Sequence, residues 1–180
     1  MPANKSVDKA LAAFKSDTSK TLGLTVGKHT GFEPGTYIPK ADAQSPPEIL
    51  YAAASPDKTY LIMCLDIDAP FKSLPVLGPI WHWSQSGVKL SGTTASTPGK
   101  LEWTEPPVVN YIGPAPPPGA APHRYVFFLY EQPEGFDAMA HAPAKGKEVG
   151  NVARMWFSLD DWEAKAGLGE VLALNYFESN

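Results

Sequence analysis

The proline content of this chain restricts its possible folds more than any other feature. Of its 180 residues, 19 are proline and 15 are glycine. Proline lacks a backbone N–H and interrupts helix interiors and central strands, so a helical bundle is excluded. We expect short strands joined by shaped loops. The length fits one domain, residues 1–180, in which residues 1–20 form an N-terminal extension with a short helix.

Composition and charge narrow the classes of function. Hydrophobic residues make up 43% and charged residues 19%, which suits a globular core and is too apolar for disorder. The net charge of −4 argues against nucleic acid or an anionic membrane as the main partner. No apolar run approaches the ~20 residues that span a bilayer, and no secretory leader is visible, so we expect a cytoplasmic protein. The single cysteine, Cys64, excludes an internal disulfide and a Cys-rich zinc site.

Two helices are predicted from apolar spacing and capping residues. Ser6 is expected to cap the first helix, and a second should run from Ser158, in a capping-box pattern with Asp161, through Ala166 to Gly167. The apolar stripe of the first helix consists of Val7, Ala10, Leu11 and Phe14.

Strands are predicted between these helices and after the second one. Residues 60–67 and 123–130 are apolar on both faces, which places them centrally. Residues 86–100 are small and polar and are predicted to be mobile. The order favours a mainly β fold, an antiparallel β-sandwich with two or three short helices. The predicted strands are residues 22–26, 48–53, 60–67, 80–85, 108–112, 123–130 and 171–177.

Ionisable residues lie at the ends of three predicted strands: Asp66 with Asp68, His82, and His123. Each has an ordinary structural explanation, because paired aspartates often bond turn amides and a lone histidine is often a core residue. Alternation puts Asp66 and Asp68 on one face. It also puts the two neighbours of His82, Trp81 and Trp83, on the opposite face, where core packing is favoured over a substrate wall.

Together these segments resemble the phosphatidylethanolamine-binding protein family. The family pattern is a D-P-D-x-P segment, a pocket histidine, and a G-x-x-P-P…G…H-R-Y segment that enters a strand. Residues 125–132 and 157–177 extend the likeness, which is to a diverged, fungal-looking member. The matching residues are Asp66-Ile67-Asp68-Ala69-Pro70, His82, the proline loop 113–119 and His123-Arg124-Tyr125.

The resemblance implies a small anion-binding cavity at one end of the sandwich. Family members bind phospholipid headgroups, phosphate or acetate there, and several regulate kinases or proteases. Arg124 is expected to point away from His123 and to pair with Asp68. The expected catalytic or ligand-binding residues are Asp66, Asp68, Pro70, Ile80, His82, Pro116, Pro117, His123 and Tyr125.

The departures from the family pattern concern its anion cradle. Where the family has G-x-G, this chain has Gly113-Pro114-Ala115, which removes an N–H donor and crowds the backbone. Residues 77–81, which precede the pocket histidine, are apolar. Since phosphate needs several N–H donors and positive charge, we expect weak binding of phosphate and phosphoethanolamine.

Two functions are compatible with this sequence. In the first, His123 is the base or proton relay, with His82 as a second imidazole and Asp66 orienting an imidazole or donating to a carbonyl. The reaction would be a cofactor-free and metal-free condensation, cyclisation or isomerisation of a small, largely apolar carbonyl compound. Family members in fungal metabolite pathways favour it by analogy. In the second, the protein binds a headgroup or small anion without catalysis and regulates a protein partner.

Overall fold

The structure, a computed structural model, describes residues 4–92 and 99–180. It is mainly β, which confirms the predicted fold class. Short 3-10 turns occupy residues 18–20, 40–42 and 151–154. The elements are α1 (Lys5–Ser16), β1 (Gly23–Val26), β2 (His29–Thr30), β3 (Thr36–Tyr37), β4 (Glu48–Leu50), β5 (Tyr60–Asp66), β6 (Ile80–Gly92), β7 (Lys100–Glu102), β8 (His123–Glu131), α2 (Ala138–His141), α3 (Leu159–Ala166) and β9 (Ala173–Ser179).

The strands form one curled sheet in the order β2-β1-β4-β7-β6-β5-β8-β9-β3. All neighbouring pairs are antiparallel except β3 with β9, which are parallel. The long strand β6 pairs with β5 through its first part and with β7 through its second, so it belongs to both layers of the sandwich. The central position predicted for residues 60–67 and 123–130 is confirmed, since β5 lies between β6 and β8.

Two apolar cores cover the faces of the central strands. One fills the space between the layers and includes Leu24, Ile62 and Phe127. The other lies under the helices, where Phe14 of α1 and Trp162 of α3 pack against the outer face of β5 and β8. The apolar stripe predicted for the first helix is therefore confirmed. The Ser158 hydroxyl accepts the Asp161 N–H, and Gly167 ends α3 with a φ of 66°, as the capping pattern predicted.

Several local predictions were wrong. Ser6 does not cap α1, which begins at Lys5; instead the Asp160 carboxylate accepts the N–H groups of Lys5 and Ser6. Residues 108–112 form no strand, and only Val109 bridges to Ser84. Prolines 106, 107 and 114 flank this segment and offer no N–H for a continuous ladder.

The described part of the segment predicted to be mobile, residues 86–92 and 99–100, is largely strand. Ser86–Gly92 continue β6, and Lys100 opens β7. Residues 93–98 lie outside the described residues. The small polar composition suggested a mobile loop, and this prediction was wrong for the described residues. Ser86 and Val88 are fully buried, and pairing of β6 with β7 fixes the extended conformation. The predicted strands 48–53 and 171–177 are found as Glu48–Leu50 and Ala173–Ser179.

A β-bulge at His82 decides which side chains reach the site. Cys64 pairs with Trp83 and Leu65 pairs with Trp81, so His82 is the extra residue on β6. The prediction that Trp81 and Trp83 share a face was therefore wrong: Trp83 packs between the layers, and Trp81 packs under the helices. His82 turns to the same side as Trp83, with its ring 5.0 Å from that of Tyr125.

Candidate functional site

A cavity of about 310 Å³ lies at the end of the central strands. The last residue of β5, the first residues of β6 and the first residues of β8 form its floor. Loops 69–77 and 112–117 and residues 151 and 155 form its walls. The lining residues are Asp66, Ala69, Pro70, Leu77, Ile80, His82, Ile112, Gly113, Ala115, Pro116, Pro117, His123, Tyr125, Asn151 and Met155.

Asp66 and His123 form a buried pair in this cavity. The two Asp66 oxygens accept from His123 Nδ1 at 2.8 Å and from the Asp68 backbone N–H at 2.9 Å. His123 Nε2 lies 3.1 Å from the carbonyl oxygen of Pro70, which only accepts. Both ring nitrogens therefore donate, and His123 is an imidazolium paired with a carboxylate. Burial alone would lower the pKa of His123, but the hydrogen bond and charge of Asp66 outweigh it, and the pKa is raised.

His82 has a different protonation state for a local reason. Its Nδ1 lies 2.8 Å from the carbonyl oxygen of Ile112, so Nδ1 carries the proton. No described residue bonds Nε2, which leaves this lone pair to the cavity. Burial lowers the pKa of His82, while the nearby Asp66 charge opposes that shift. His82 is therefore a neutral imidazole that can accept a proton at Nε2.

The Tyr125 hydroxyl is buried, and its hydrogen meets no acceptor in the part of the chain that the structure describes. The side chain is 1% exposed, and its oxygen makes no hydrogen bond of normal geometry in the described part of the chain. The backbone of Ala115 makes a weak hydrogen bond to this oxygen that acts to lower its pKa, and the hydrogen of the hydroxyl stays without an acceptor among the described residues. Burial raises the pKa of Tyr125, so the hydroxyl stays protonated. Since buried polar groups are usually satisfied, this hydroxyl is a donor available to a bound molecule.

Asp68 does not line the cavity, contrary to its place among the expected ligand-binding residues. The strand ends at Asp66, so the alternation that would put both carboxylates on one face stops there. The Asp68 carboxylate instead accepts from Arg124 three times, from the backbone N–H, from Nε at 2.8 Å and from Nη2 at 2.6 Å. The predicted pairing of Arg124 with Asp68 is confirmed.

The other expected residues all line the cavity: Pro70, Ile80, Pro116, Pro117 and Tyr125. Sequence reasoning named Leu77, Gly113 and Ala115 only as altered loop positions. It missed Asn151, in a 3-10 turn before α3, and Met155, which follows that turn, because the turn has neither a motif nor a period to reveal it. The described cavity wall holds no lysine or arginine.

Comparison with known proteins agrees with this architecture. A family model described as "Phosphatidylethanolamine-binding protein" matches residues 28–177. The chain belongs to this family. A structure of carboxypeptidase Y inhibitor complexed with its cognate proteinase aligns with a TM-score of 0.68 at 24% identity, over 98% of this chain and 95% of that one. A phosphatidylethanolamine-binding protein from Plasmodium vivax aligns with a TM-score of 0.64 at 18% identity, over 99% and 98%. These two likenesses establish the fold.

Two of the relatives in sequence are fungal proteins with different names. Phomoidride biosynthesis cluster protein N from Talaromyces stipitatus is 29% identical over 98% of this chain and 92% of its own length. Carboxypeptidase Y inhibitor from Saccharomyces cerevisiae is 28% identical over 78% of this chain and 64% of its own length. The family thus joins proteins named for a biosynthetic cluster and for protease inhibition.

Two further observations bear on the class of site. Within residues 4–92 and 99–180, no group of three or more His, Cys, Asp or Glu side chains is placed to hold a metal ion. No helix in the same residues is both long and apolar enough to cross a bilayer.

Proposed function

We propose that the cavity binds a small, largely apolar carbonyl compound and catalyses proton transfer on it, in a condensation, cyclisation or isomerisation of metabolite biosynthesis. The observation that carries the proposal is the neutral His82, whose Nε2 lone pair faces an apolar cavity. Beside it lies the Tyr125 hydroxyl, whose hydrogen has no acceptor among the described residues. The similarity to a phomoidride biosynthesis cluster protein supports a biosynthetic setting.

His82 is the base in this mechanism, in place of His123, which has no free nitrogen. A C–H proton next to the carbonyl moves to His82 Nε2, and the electron pair of the broken bond passes into the carbonyl group. The Tyr125 hydroxyl donates to the oxygen on which negative charge develops. Although burial lowers the pKa of His82 overall, the negative charge of Asp66 acts in the opposite direction and stabilises the protonated ring. His82 then returns the proton to the product carbon or oxygen.

The His123–Asp66 pair has a different part in the mechanism. Both ring hydrogens of His123 are donated, to Asp66 and to the Pro70 carbonyl, and each Asp66 oxygen already accepts one hydrogen bond, so we give the pair a structural part. The pair joins the ends of β5 and β8 to the loop at Pro70. It thereby holds one wall of the cavity and keeps the Asp66 carboxylate beside His82.

The same saturation argues against an anion as the natural ligand. Phosphate binding needs free N–H donors and positive charge, and the only imidazolium described in the cavity has donated both of its protons. A regulatory role with a protein partner is the second candidate. It is favoured by exposed apolar side chains near the cavity mouth, namely Phe71, Leu74, Val76 and Trp156, and by the relative named carboxypeptidase Y inhibitor.

The test is proton exchange on a simple probe. Ethyl 2-methylacetoacetate has one C–H between two carbonyls, and its exchange in D₂O is followed by proton NMR. The wild type should exceed the buffer rate, and His82→Gln should remove this acceleration by roughly 10²–10⁴-fold. The control His141→Gln, at a histidine that stacks on Phe136 away from the cavity, should exchange at the wild-type rate.

Two results would contradict the proposal. One is exchange by the wild type at the buffer rate. The other is an unchanged rate in folded His82→Gln. Calorimetry with inorganic phosphate tests whether an anion is the natural ligand instead. A micromolar dissociation constant, about −8 kcal/mol of binding free energy, would favour anion binding over catalysis.

A further inference from the structure

Arg154 is a buried cation that forms no salt bridge with any residue that the structure describes. Its side chain is 0% exposed, and no carboxylate of the described residues lies within salt-bridge distance. A guanidinium taken out of water is costly unless its N–H groups are satisfied. Its acceptors are the carbonyls of Val149 at 2.9 Å, Trp81 at 2.9 Å and His82 at 3.3 Å, and Asn110 Oδ1 at 2.8 Å.

Two of these acceptors belong to the bulge in β6. At a bulge the extra residue has no partner in the ladder, and its carbonyl must find another donor. The His82 carbonyl accepts from the Ile112 N–H at 3.0 Å and from Arg154 Nη1, and the same Nη1 bonds the Trp81 carbonyl. The guanidinium therefore bonds the carbonyls of the extra residue, His82, and of the residue before it, Trp81, next to the point where the alternation of β6 breaks.

We propose that Arg154 is a positioning residue for His82: its guanidinium fixes the carbonyls of Trp81 and His82 and so maintains the bulge that turns the His82 ring into the cavity. The inference rests on the proposed function, in which His82 is the base. In a regular strand His82 would alternate with its neighbours, and Nδ1 could not keep its bond to Ile112.

Lysine cannot replace this guanidinium. The four acceptors lie on three segments of chain, and the planar fork with five N–H groups reaches them in fixed directions. An ammonium group keeps the charge but loses the fork. The pair of variants Arg154→Lys and Arg154→Met therefore separates geometry from charge. The other charged groups that act on His82 are Asp66 and His123, and neither variant changes them.

The experiment reads the His82 ring directly and needs no substrate. Long-range ¹H–¹⁵N NMR of the ring nitrogens reports which one carries the proton. The wild type should show a single Nδ1–H form of His82. Arg154→Met and Arg154→Lys should both give a mixture of Nδ1–H and Nε2–H forms, with loss of the proton exchange catalysed on ethyl 2-methylacetoacetate. A core control, Leu24→Ala in β1, should lose stability and keep the single form.

If Arg154→Met does not fold, the milder Asn110→Ala loosens one end of the guanidinium and should give a partial mixture. A folded Arg154 variant that keeps the single Nδ1–H form overturns the inference, as does Asn110→Ala with the wild-type spectrum when Arg154→Met is unfolded. The two proposals fail separately. If the wild type shows no exchange activity while the Arg154 variants still give the mixed tautomer, only the catalytic role is contradicted. Full exchange activity in Arg154→Met contradicts only the positioning role.

Discussion

His82 and His123 differ in what their ring nitrogens meet, and this difference sets their chemistry. His82 bonds one carbonyl and keeps a lone pair, whereas His123 bonds a carboxylate and a carbonyl and keeps none. The sequence led to His123 as the base because it follows a rigid proline loop. That argument could not include the backbone oxygens of Ile112 and Pro70, which determine where the ring protons lie. Backbone contacts of this kind cannot be inferred from residue type.

The separation of Asp68 from the cavity gives a prediction. Asp68→Asn removes a carboxylate that Arg124 contacts through three donors, so the free energy of unfolding should fall by roughly 1.5–3 kcal/mol, the usual worth of charged hydrogen bonds. Proton exchange should stay at the wild-type rate. Urea denaturation and the NMR assay measure the two effects. A loss of exchange in folded protein would return Asp68 to the site.

Tyr125→Phe should have the opposite effects to Asp68→Asn, with stability kept and proton exchange slowed. Since its hydroxyl has no normal partner in the described residues, its removal should leave the free energy of unfolding unchanged or slightly higher. The same change should slow exchange by roughly 10²–10³-fold, as loss of a donor to developing charge does. Urea denaturation and the exchange assay decide it, and a destabilised but fully active variant would contradict the role given to this hydroxyl.

Elements with strong patterns were predictable, and irregular ones were not. The two-faced runs of β5 and β8, the stripe of α1 and the cap of α3 each follow from local spacing. The bulge in β6 does not, because its cause includes a guanidinium 72 positions further along the chain. The extended run at residues 108–112 looked like a strand from its apolar residues alone, whereas flanking prolines limit its hydrogen bonds.

The 3-10 turn before α3 should set the size of the ligand. Met155 is half-buried in the cavity wall, so Met155→Ala should enlarge the site. The affinity for the benzyl ester of 2-methylacetoacetic acid, relative to the ethyl ester, should rise by about tenfold. Met139→Ala, at an exposed methionine on α2, is the control. An unchanged ratio in calorimetry would show that Met155 does not bound the ligand.

For the whole molecule, family resemblance located the site better than any local pattern. Asp66, His82 and His123 are far apart in sequence, and three neighbouring strands bring them to one end of the sheet. The motif segments supplied the floor of the cavity. The wall at residues 151 and 155 follows from the path of the chain between β8 and α3, which no spacing in the sequence encodes.

The two histidines should also shape the stability of the molecule. The lowered pKa of His82 means that the unfolded chain binds more protons between that value and 6.5, so stability rises with pH there. The raised pKa of His123 means that the folded chain binds more protons above 6.5, so stability falls as pH climbs through the folded value. These two contributions place a maximum near pH 6.5.

Urea denaturation over a range of pH measures this maximum. His82→Gln should flatten the acid side of the curve, and His123→Gln should flatten the alkaline side at a lower overall stability. A wild-type curve that rises steadily from pH 5 to 8 would contradict the assigned protonation states.

The pH dependence of proton exchange on ethyl 2-methylacetoacetate tests the central claim most directly. If His82 is the base, the enzymatic rate rises as His82 loses its proton, with its midpoint below the ordinary histidine pKa of 6.5, and is level through neutral pH. If His123 is the base, the midpoint lies above 6.5, where its raised pKa places deprotonation. An acid-side midpoint that is absent from His82→Gln is the result we predict. A midpoint above 6.5 that His123→Gln abolishes would contradict the account.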